Sequence, residues 1–322
     1  MEKYRLAHLS DLHLRGPSDK LRQRRVLRLV KNVIDSGVDH ILLGGDLVDD
    51  GNIEDAAPLI GLLKKAGYFC SKRLSVVPGN HDIWPFSGEH SVSEAISSGL
   101  RDLGAILSFR DWPAQQRYEE FLQAFAPAFK GTMRDFEDRL PCVKEVGPLM
   151  VGMLDSTSYK GYHQSARGRF DPDEGEFLTE CLGAHPGPTL VLMHHVPWDL
   201  GLFDIGVEVD DLPAPVKAMT SAMGIDLERI GDANFTDLAG VRRFIRRGKF
   251  DAVLCGHLHL WSDEPCGPGY FNKIGSVPAY CMGRSGAMHQ EERHERFAWH
   301  EIEVTGSAVK VDTRFVRGKD LD

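Results

Sequence analysis

Five short apolar runs in this 322-residue chain each stop at a cluster of polar, chemically active side chains. Tyr4–Leu9 leads into Ser10-Asp11-Leu12-His13, and Ile41–Leu43 into Gly44-Gly45-Asp46. Leu74–Val77 leads into Pro78-Gly79-Asn80-His81-Asp82. Leu190–Met193 leads into His194-His195, and Ala252–Cys255 into Gly256-His257-Leu258-His259. Short apolar runs bounded by turn residues read as strands buried on both faces. Amides, imidazoles and carboxylates are costly to bury without partners. A chain that sets them at the ends of five buried strands therefore needs something to satisfy them. In open α/β sheets, ligands gather outside the carboxyl ends of the strands.

Helical patterns separate the early strands. Asp19–Ser36 carries Leu21, Val26, Leu29, Val30, Val33 and Ile34 at helical spacing, and Ile53–Ala66 and Pro172–Leu182 read similarly. This alternation predicts an α/β fold with a mainly parallel sheet. A further strand is expected at Leu149–Leu154. Phe297–Val304 and Ala308–Phe315 alternate with period two around Gly306-Ser307, which predicts an antiparallel hairpin. Residues 84–148, with a helix expected near Gln115–Phe125, and residues 197–249 are less regular and read as insertions. Both leave the ligand-bearing edge, where they could wall or cap a pocket. No repeat, low-complexity tract or linker interrupts the chain, so a single domain over 1–322 is expected.

Composition narrows the function classes. Hydrophobic content of 42% and charged content of 26% are ordinary for a soluble globular protein. No uncharged apolar run reaches the roughly 18 residues of a membrane span. The first residues lack the apolar core of a secretion signal, and the six cysteines form no C-x-x-C pair. Reduced thiols and a cytoplasmic location are therefore expected. The net charge is −9, and the densest basic runs, Lys20–Arg28 and Arg242–Lys249, lie on helical patterns. No stable nucleic-acid binding is expected from such a balance. An acidic protein can still handle phosphate if bound metal supplies the positive charge locally.

The polar clusters suit that chemistry. Asp11, His13, Asp46, Asn80, one of the His194-His195 pair, His257 and His259 are too many ligands for a single four-coordinate ion. Imidazole, carboxylate and amide oxygen together suit Mn, Fe or Zn, as divalent or trivalent ions. Asp46, behind two glycines that let the backbone turn and leave room for ions, is the natural bridge. Two ions roughly 3.5–4 Å apart can hold a bridging hydroxide and clamp an in-line displacement. His194 directly follows its strand and is taken as the ligand, with His195 lining the site or contacting substrate.

The series DLH, GGDLVD, GNHD, MHHVP and GHLH resembles the calcineurin-like metallophosphoesterase family over residues 11–259, with every ligand position filled. In motif pattern it looks most like the prokaryotic class III cyclic-nucleotide phosphodiesterases, although the long inserts depart from the compact members of that branch. The resemblance implies a four-layer αββα sandwich, two mixed sheets flanked by helices, with inserted cap-like segments. It implies one metal on Asp11, His13 and His259, another on Asn80, His194 and His257, and Asp46 between them. It also implies that His81 contacts the phosphate and acts as general acid. Independently, an alkoxide leaving group needs a proton, and histidine titrates near neutral pH. Asp82 is expected to accept a hydrogen bond from the far ring nitrogen of His81, and Asp49 is a candidate support for a ligand histidine.

The expected function is a dimetal phosphodiesterase acting on a small-molecule or lipid-head-group phosphoester through attack by the bridging hydroxide. One alternative is a phosphomonoesterase or protein phosphatase on the same core, which an arginine clamp would favour and for which none is evident. Another is a non-catalytic scaffold, which should have lost ligands. Trp84 and Trp198, with Phe86 and Phe203, are candidate pocket residues. Arg167 and Arg169 are candidate phosphate contacts in a loop before a helix. The C-terminal hairpin offers an edge through which an oligomer could form.

Overall fold

The computed structural model describes residues 3–16, 20–84, 113–134, 140–157, 168–198, 235, 237–258, 271–283, 285–286 and 296–322. Phe86, Arg167, Phe203 and His259, and most of both expected insertions, lie outside these residues.

The first sheet begins with β1 (Tyr4–Leu9), β2 (His40–Leu43) and β3 (Leu74–Val76), which are parallel. Helix α1 (Lys20–Asp35) connects the first two and buries Val26, Leu29, Val30 and Val33, the single face set by their spacing. A 3-10 turn at Ile53–Ala56, capped by the Asn52 side chain, precedes α2 (Ala57–Lys65). Pro58 sits in the first turn of α2, where its missing N–H costs nothing. The C-terminal hairpin, β11 (Arg296–Thr305) with β12 (Ala308–Arg317), pairs antiparallel onto β1, giving the order β12-β11-β1-β2-β3.

The second sheet has the order β4-β5-β6-β7-β8-β10-β9. Its strands are β4 (Met133–Arg134), β5 (Cys142–Val146), β6 (Leu149–Met153), β7 (Thr189–Leu192), β8 (Ala252–Cys255), β9 (Phe271–Ile274) and β10 (Val277–Cys281). β6, β7, β8 and β10 run parallel, and the remaining pairings are antiparallel. Two mixed sheets, as the family resemblance implies, thus replace the single mainly parallel sheet expected from the strand–helix alternation alone. Helix-connected strands build each parallel centre, and hairpins, which need only short turns, extend the edges.

Alternation in β7 shows the layering. Leu190 and Leu192 join the core shared with the first sheet, while Val191 and Met193 join Leu178 and Leu182 of α4 (Pro172–Gly183) and Val241, Phe244 and Ile245 of α5 (Leu238–Gly248). The Asp171 side chain caps α4, and Asp237 caps α5 by accepting from the Gly240 N–H at 2.8 Å. Part of the first expected insertion belongs to this framework. Helix α3 (Ala114–Ala124) delivers Phe121 to the main core, and β4 pairs with β5.

Register brings the strand ends level. Leu9 pairs with Leu43, and Leu43 with Val76; in the other sheet Met153 pairs with Leu192, and Leu192 with Leu254. The residues that follow all emerge along one edge of the sandwich.

Candidate metal centre

The loops at that edge are tied together by backbone hydrogen bonds. The Asp11 N–H donates to the Gly45 carbonyl at 2.9 Å, and the His13 N–H to the Asp46 carbonyl at 2.9 Å. Within the second sheet the Gly256 N–H donates to the His194 carbonyl, and across the sheets the His257 N–H reaches both Asp11 oxygens at 3.0 and 3.1 Å. Asp11, His13, Asp46 and His257 adopt left-handed backbone, with φ of 58°, 45°, 51° and 72°. Lys249, at the end of α5, is the other such non-glycine among the described residues. A left-handed non-glycine costs about 1–3 kcal/mol and persists where its surroundings over-determine it, a pattern concentrated at functional sites.

The side chains converge on Asp46. Its Oδ1 accepts from the His81 N–H at 2.8 Å. Its Oδ2 lies 3.2 Å from His194 Nε2 and 3.8 Å from His13 Nε2, yet is buried without a well-directed hydrogen bond. Asn80 Oδ1 is 3.1 Å from His194 Nε2 and 3.0 Å from His257 Nδ1. Three sets of ligand atoms lie within 4.8 Å of one another: Asp11 with Asp46 and His194, His13 with Asp46 and His81, and His194 with His195 and His257. Asp46 is common to the first two.

The outer nitrogens are held from behind. His13 Nδ1 donates to Asp49 Oδ1 at 3.0 Å, and Arg15 Nε holds the other Asp49 oxygen at 2.5 Å. His194 Nδ1 donates to the Gly44 carbonyl at 2.8 Å. With Nδ1 carrying the proton, the Nε2 lone pair of each neutral ring faces carboxylate or amide oxygen. That arrangement is repulsive until a cation lies between. The titration reflects this demand. Burial opposes charge on His13, but hydrogen bonds to Asp11 and Asp49 push its pKa up to about 9. Burial likewise opposes charge on His194, and the Asp46 carboxylate raises it to about 9. Burial works to protonate Asp46, yet neighbouring imidazoles hold it well below the usual carboxylate range. Without metal the pocket recruits protons to neutralise its carboxylates, so the donor set fits cations.

Two glycines serve contact rather than turning. A Cβ on Gly79 would stand 2.1 Å from Asp46 Oδ1, and one on Gly256 1.9 Å from Ser10 Oγ and 2.3 Å from Asp11 Oδ2. Neither has a left-handed backbone, so close contact rather than conformational freedom requires glycine at both positions. Gly79 lets the GNHD loop lie directly against Asp46.

The expected His81–Asp82 pairing is corrected. Asp82 is fully buried, and its Oδ1 accepts from the Leu47 and Val48 N–H groups at 2.8 and 3.0 Å, while Oδ2 accepts from the Gly79 N–H at 2.8 Å. It staples the Asp46 loop to the GNHD loop. His81 Nδ1 instead donates to the Asp49 backbone carbonyl at 3.0 Å, and its ring meets His13 edge-on at 4.6 Å. Burial pulls the His81 pKa down to about 4, against the opposing charge of Asp46.

Of the candidate pocket residues, Trp84 is 3% exposed and packs with Ile83, Ala114 and Tyr118, anchoring α3. Trp198 is equally buried in the outer layer of the second sheet with Val196 and Phe235. Neither stands on an open wall. Arg169 is held by Asp171 and Glu174 at the start of α4. His195 is buried beside His194 and His257. Sequence reasoning missed Ser156, which follows β6 at the same edge. Its Oγ meets the N–H groups of His194 and His195 at 3.2 and 3.1 Å and His195 Nδ1 at 3.0 Å. The signal was present, because Leu149–Met153 is one more apolar run that ends in polar residues, Asp155-Ser156-Thr157.

Comparison with known proteins agrees with this geometry. Residues 4–260 match the family model described as calcineurin-like phosphoesterase. No curated protein matches the chain. Among solved structures, a purple acid phosphatase from yellow lupin (Lupinus luteus) seeds is similar at 12% identity and a TM-score of 0.52, over 100% of this chain and 52% of that one. The chain thus spans about half the length of the lupin protein. A dimetal phosphatase from Danio rerio is similar at 11% identity and a TM-score of 0.43, over 96% of this chain and 98% of that one. A 5'-nucleotidase precursor from Thermus thermophilus is similar at 14% identity and a TM-score of 0.43, over 99% of this chain and 55% of that one. With a family model running from the first residue of β1 to just beyond the His257 strand end, the chain belongs to the calcineurin-like phosphoesterase family.

Proposed function

We propose that the chain is a dimetal phosphodiesterase. The observation that carries this reading is Asp46 Oδ2, buried without a well-directed hydrogen bond between the inner nitrogens of His13 and His194. Asp11 and His13, with His259, would hold one ion; Asn80, His194 and His257 would hold the other; Asp46 would be shared. Imidazole, carboxylate and amide oxygen suit Mn, Fe or Zn. When bound, such ions supply Lewis-acid charge and activate water.

The chain's own residues do the rest. The carbonyl of Asp49 keeps the proton of a neutral His81 on Nδ1 and so leaves Nε2 as the unprotonated ring nitrogen, on a side chain that keeps 15% exposure. Nε2 is then the atom that contacts a phosphoryl oxygen and, once protonated, passes a proton to the leaving alkoxide. A phosphoester anion favours that protonation in the same sense as Asp46 does.

The preference for diesters is supported by three arginines that, among the described residues, are engaged elsewhere. Arg15 is bound to Asp49, Arg22 to the carbonyls of Leu12 and Gly286, and Arg169 to Asp171 and Glu174. A dianionic monoester gains more from a bidentate guanidinium than a monoanionic diester does. The test is elemental analysis of the purified protein, followed by Mn-dependent hydrolysis of bis(p-nitrophenyl) phosphate and p-nitrophenyl phosphate. About two ions per chain with faster diester cleavage is expected. Faster monoester cleavage would move the assignment to a phosphatase. Bound metal without turnover of either ester would point to a scaffold.

A further inference from the structure

The side chain next to the ligand His194 has a proton to give and nothing to give it to. His195 is 0% exposed, and its Nε2 is buried with no hydrogen-bond partner. Its ring centroid stands 4.5 Å from that of His257 and 4.9 Å from that of His194, and one of its nitrogens lies within 4.8 Å of theirs. Three imidazoles so placed look like a three-histidine metal site. The hydrogen bonds of Ser156 argue otherwise. A hydroxyl has two acceptor positions and one proton. The N–H groups of His194 and His195 occupy both acceptor positions, at 3.2 and 3.1 Å. The hydroxyl proton therefore goes to the remaining partner, His195 Nδ1, at 3.0 Å. An imidazole that accepts at Nδ1 carries its own proton on Nε2 and has no lone pair there for a metal.

We propose that His195 is a substrate-binding residue whose Nε2–H donates to a non-bridging oxygen of the phosphoester, set in that tautomer by Ser156. A buried, unpartnered donor costs free energy until an acceptor arrives, and an anionic phosphoryl oxygen at the metal edge is the acceptor the site is built to receive. His81 and His195 would then reach the phosphoryl group from different sheets, one from the loop after β3 and the other from the end of β7. This inference rests on the phosphoesterase reading above.

The tautomer is read directly on the wild-type protein by nitrogen-15 NMR of the histidine side chains, with Zn²⁺ as the diamagnetic metal. The expected result is a His195 ring protonated at Nε2, whose resonance moves when inorganic phosphate is added. A ring protonated at Nδ1 would overturn the inference. Three measurements on His195→Phe and His195→Gln then separate donor from ligand: Mn²⁺ affinity, inhibition by phosphate, and kcat/KM for bis(p-nitrophenyl) phosphate. His195→Phe should keep both metal affinities and lose about 10–100-fold in kcat/KM and in phosphate affinity. His195→Gln, which retains an N–H, should recover part of that loss. A fall in metal affinity would make His195 a ligand, and unchanged kinetics would make it a packing residue; either result overturns the proposal. A wild type that binds neither metal nor phosphate would overturn the phosphoesterase reading as well, whereas a wild type that turns over beside an unaltered His195→Phe overturns this inference alone.

Discussion

Asp49 makes no contact with Asp46, Asn80 or Asp11 in the hydrogen-bonding described above, yet its loss should be felt by one metal and not the other. Its Oδ1 accepts from His13 Nδ1 at 3.0 Å, and its Oδ2 is held by Arg15 at 2.5 Å. Burial would raise its pKa, but the bond to His13 holds the carboxyl well below the usual range, so it is ionised throughout neutral pH. Removing such a support usually costs 10–100-fold in metal affinity, or about 1.4–2.7 kcal/mol. Asp49→Ala should therefore weaken the ion on Asp11 and His13 by that factor. The ion on Asn80, His194 and His257 should be spared, because His194 is oriented by the Gly44 carbonyl and not by any carboxylate from behind. His81 should also keep its place, since it uses the backbone carbonyl of Asp49. Asp49→Asn, whose amide oxygen can still accept from His13, should lose less. Isothermal titration of the apo protein with Mn²⁺ resolves the two events. Equal weakening of both ions, or of neither, would refute the assignment of a separate support to each site.

Three further outcomes follow from other contacts. Gly79→Ala drives a methyl group to within 2.1 Å of Asp46 Oδ1, so it should expel bound metal and destabilise the fold by about 1–3 kcal/mol, measured by metal content and denaturant unfolding. Asp82→Asn turns an amide N–H toward one of three backbone donors and should cost about 1–3 kcal/mol. Because His81 is held elsewhere, the ratio of rates for poor and good leaving groups should stay unchanged; a selective loss with poor leaving groups would restore the pairing. Lys144, on β5, is 5% exposed, donates to the carbonyls of Leu74 and Ala128, and has its pKa pulled by burial from 10.5 down to about 8. The folded state releases this proton first, so the penalty is full below pH 8 and is relieved as pH rises from about 8 to 10.5. Wild type minus Lys144→Met should therefore gain about 3 kcal/mol of unfolding free energy across that window, and a flat difference would contradict it.

The parts of the fold that depend on local pattern were readable. β1, β2 and β8 fall where their apolar runs lie, and α1 where Val26, Leu29, Val30 and Val33 repeat. β5, β9 and β10 were not, because CVKEV carries a lysine and a glutamate, FNKI a lysine, and VPAYC a proline. β5 and β9 join the sheet by hairpin pairing with β6 and β10, and β10 by pairing with β8, so pairing rather than their own apolar pattern places them, and the burial of Lys144 depends on carbonyls of Leu74 and Ala128 that no pattern announces. The site divides the same way. Asp11, His13, Asp46, Asn80, His194 and His257 were legible as strand-end residues, and the structure brings them together. What orients them was less so. Asp82 follows His81 in sequence but binds three backbone donors, while the partners that turn His81 and His194 are bare carbonyls, a group every residue has.

The bond from the His257 N–H to Asp11 joins residues 246 positions apart, and that from His194 to the Gly44 carbonyl joins residues 150 apart. Ions seated among these side chains would act as a clasp between two sheets that the chain builds largely in succession. Such a clasp exists only in the folded chain, so it would stabilise the fold by binding that state alone. Chelation should then do more than silence chemistry. It should lower the melting temperature of both sheets together, and the melting temperature should climb with free metal concentration by mass action.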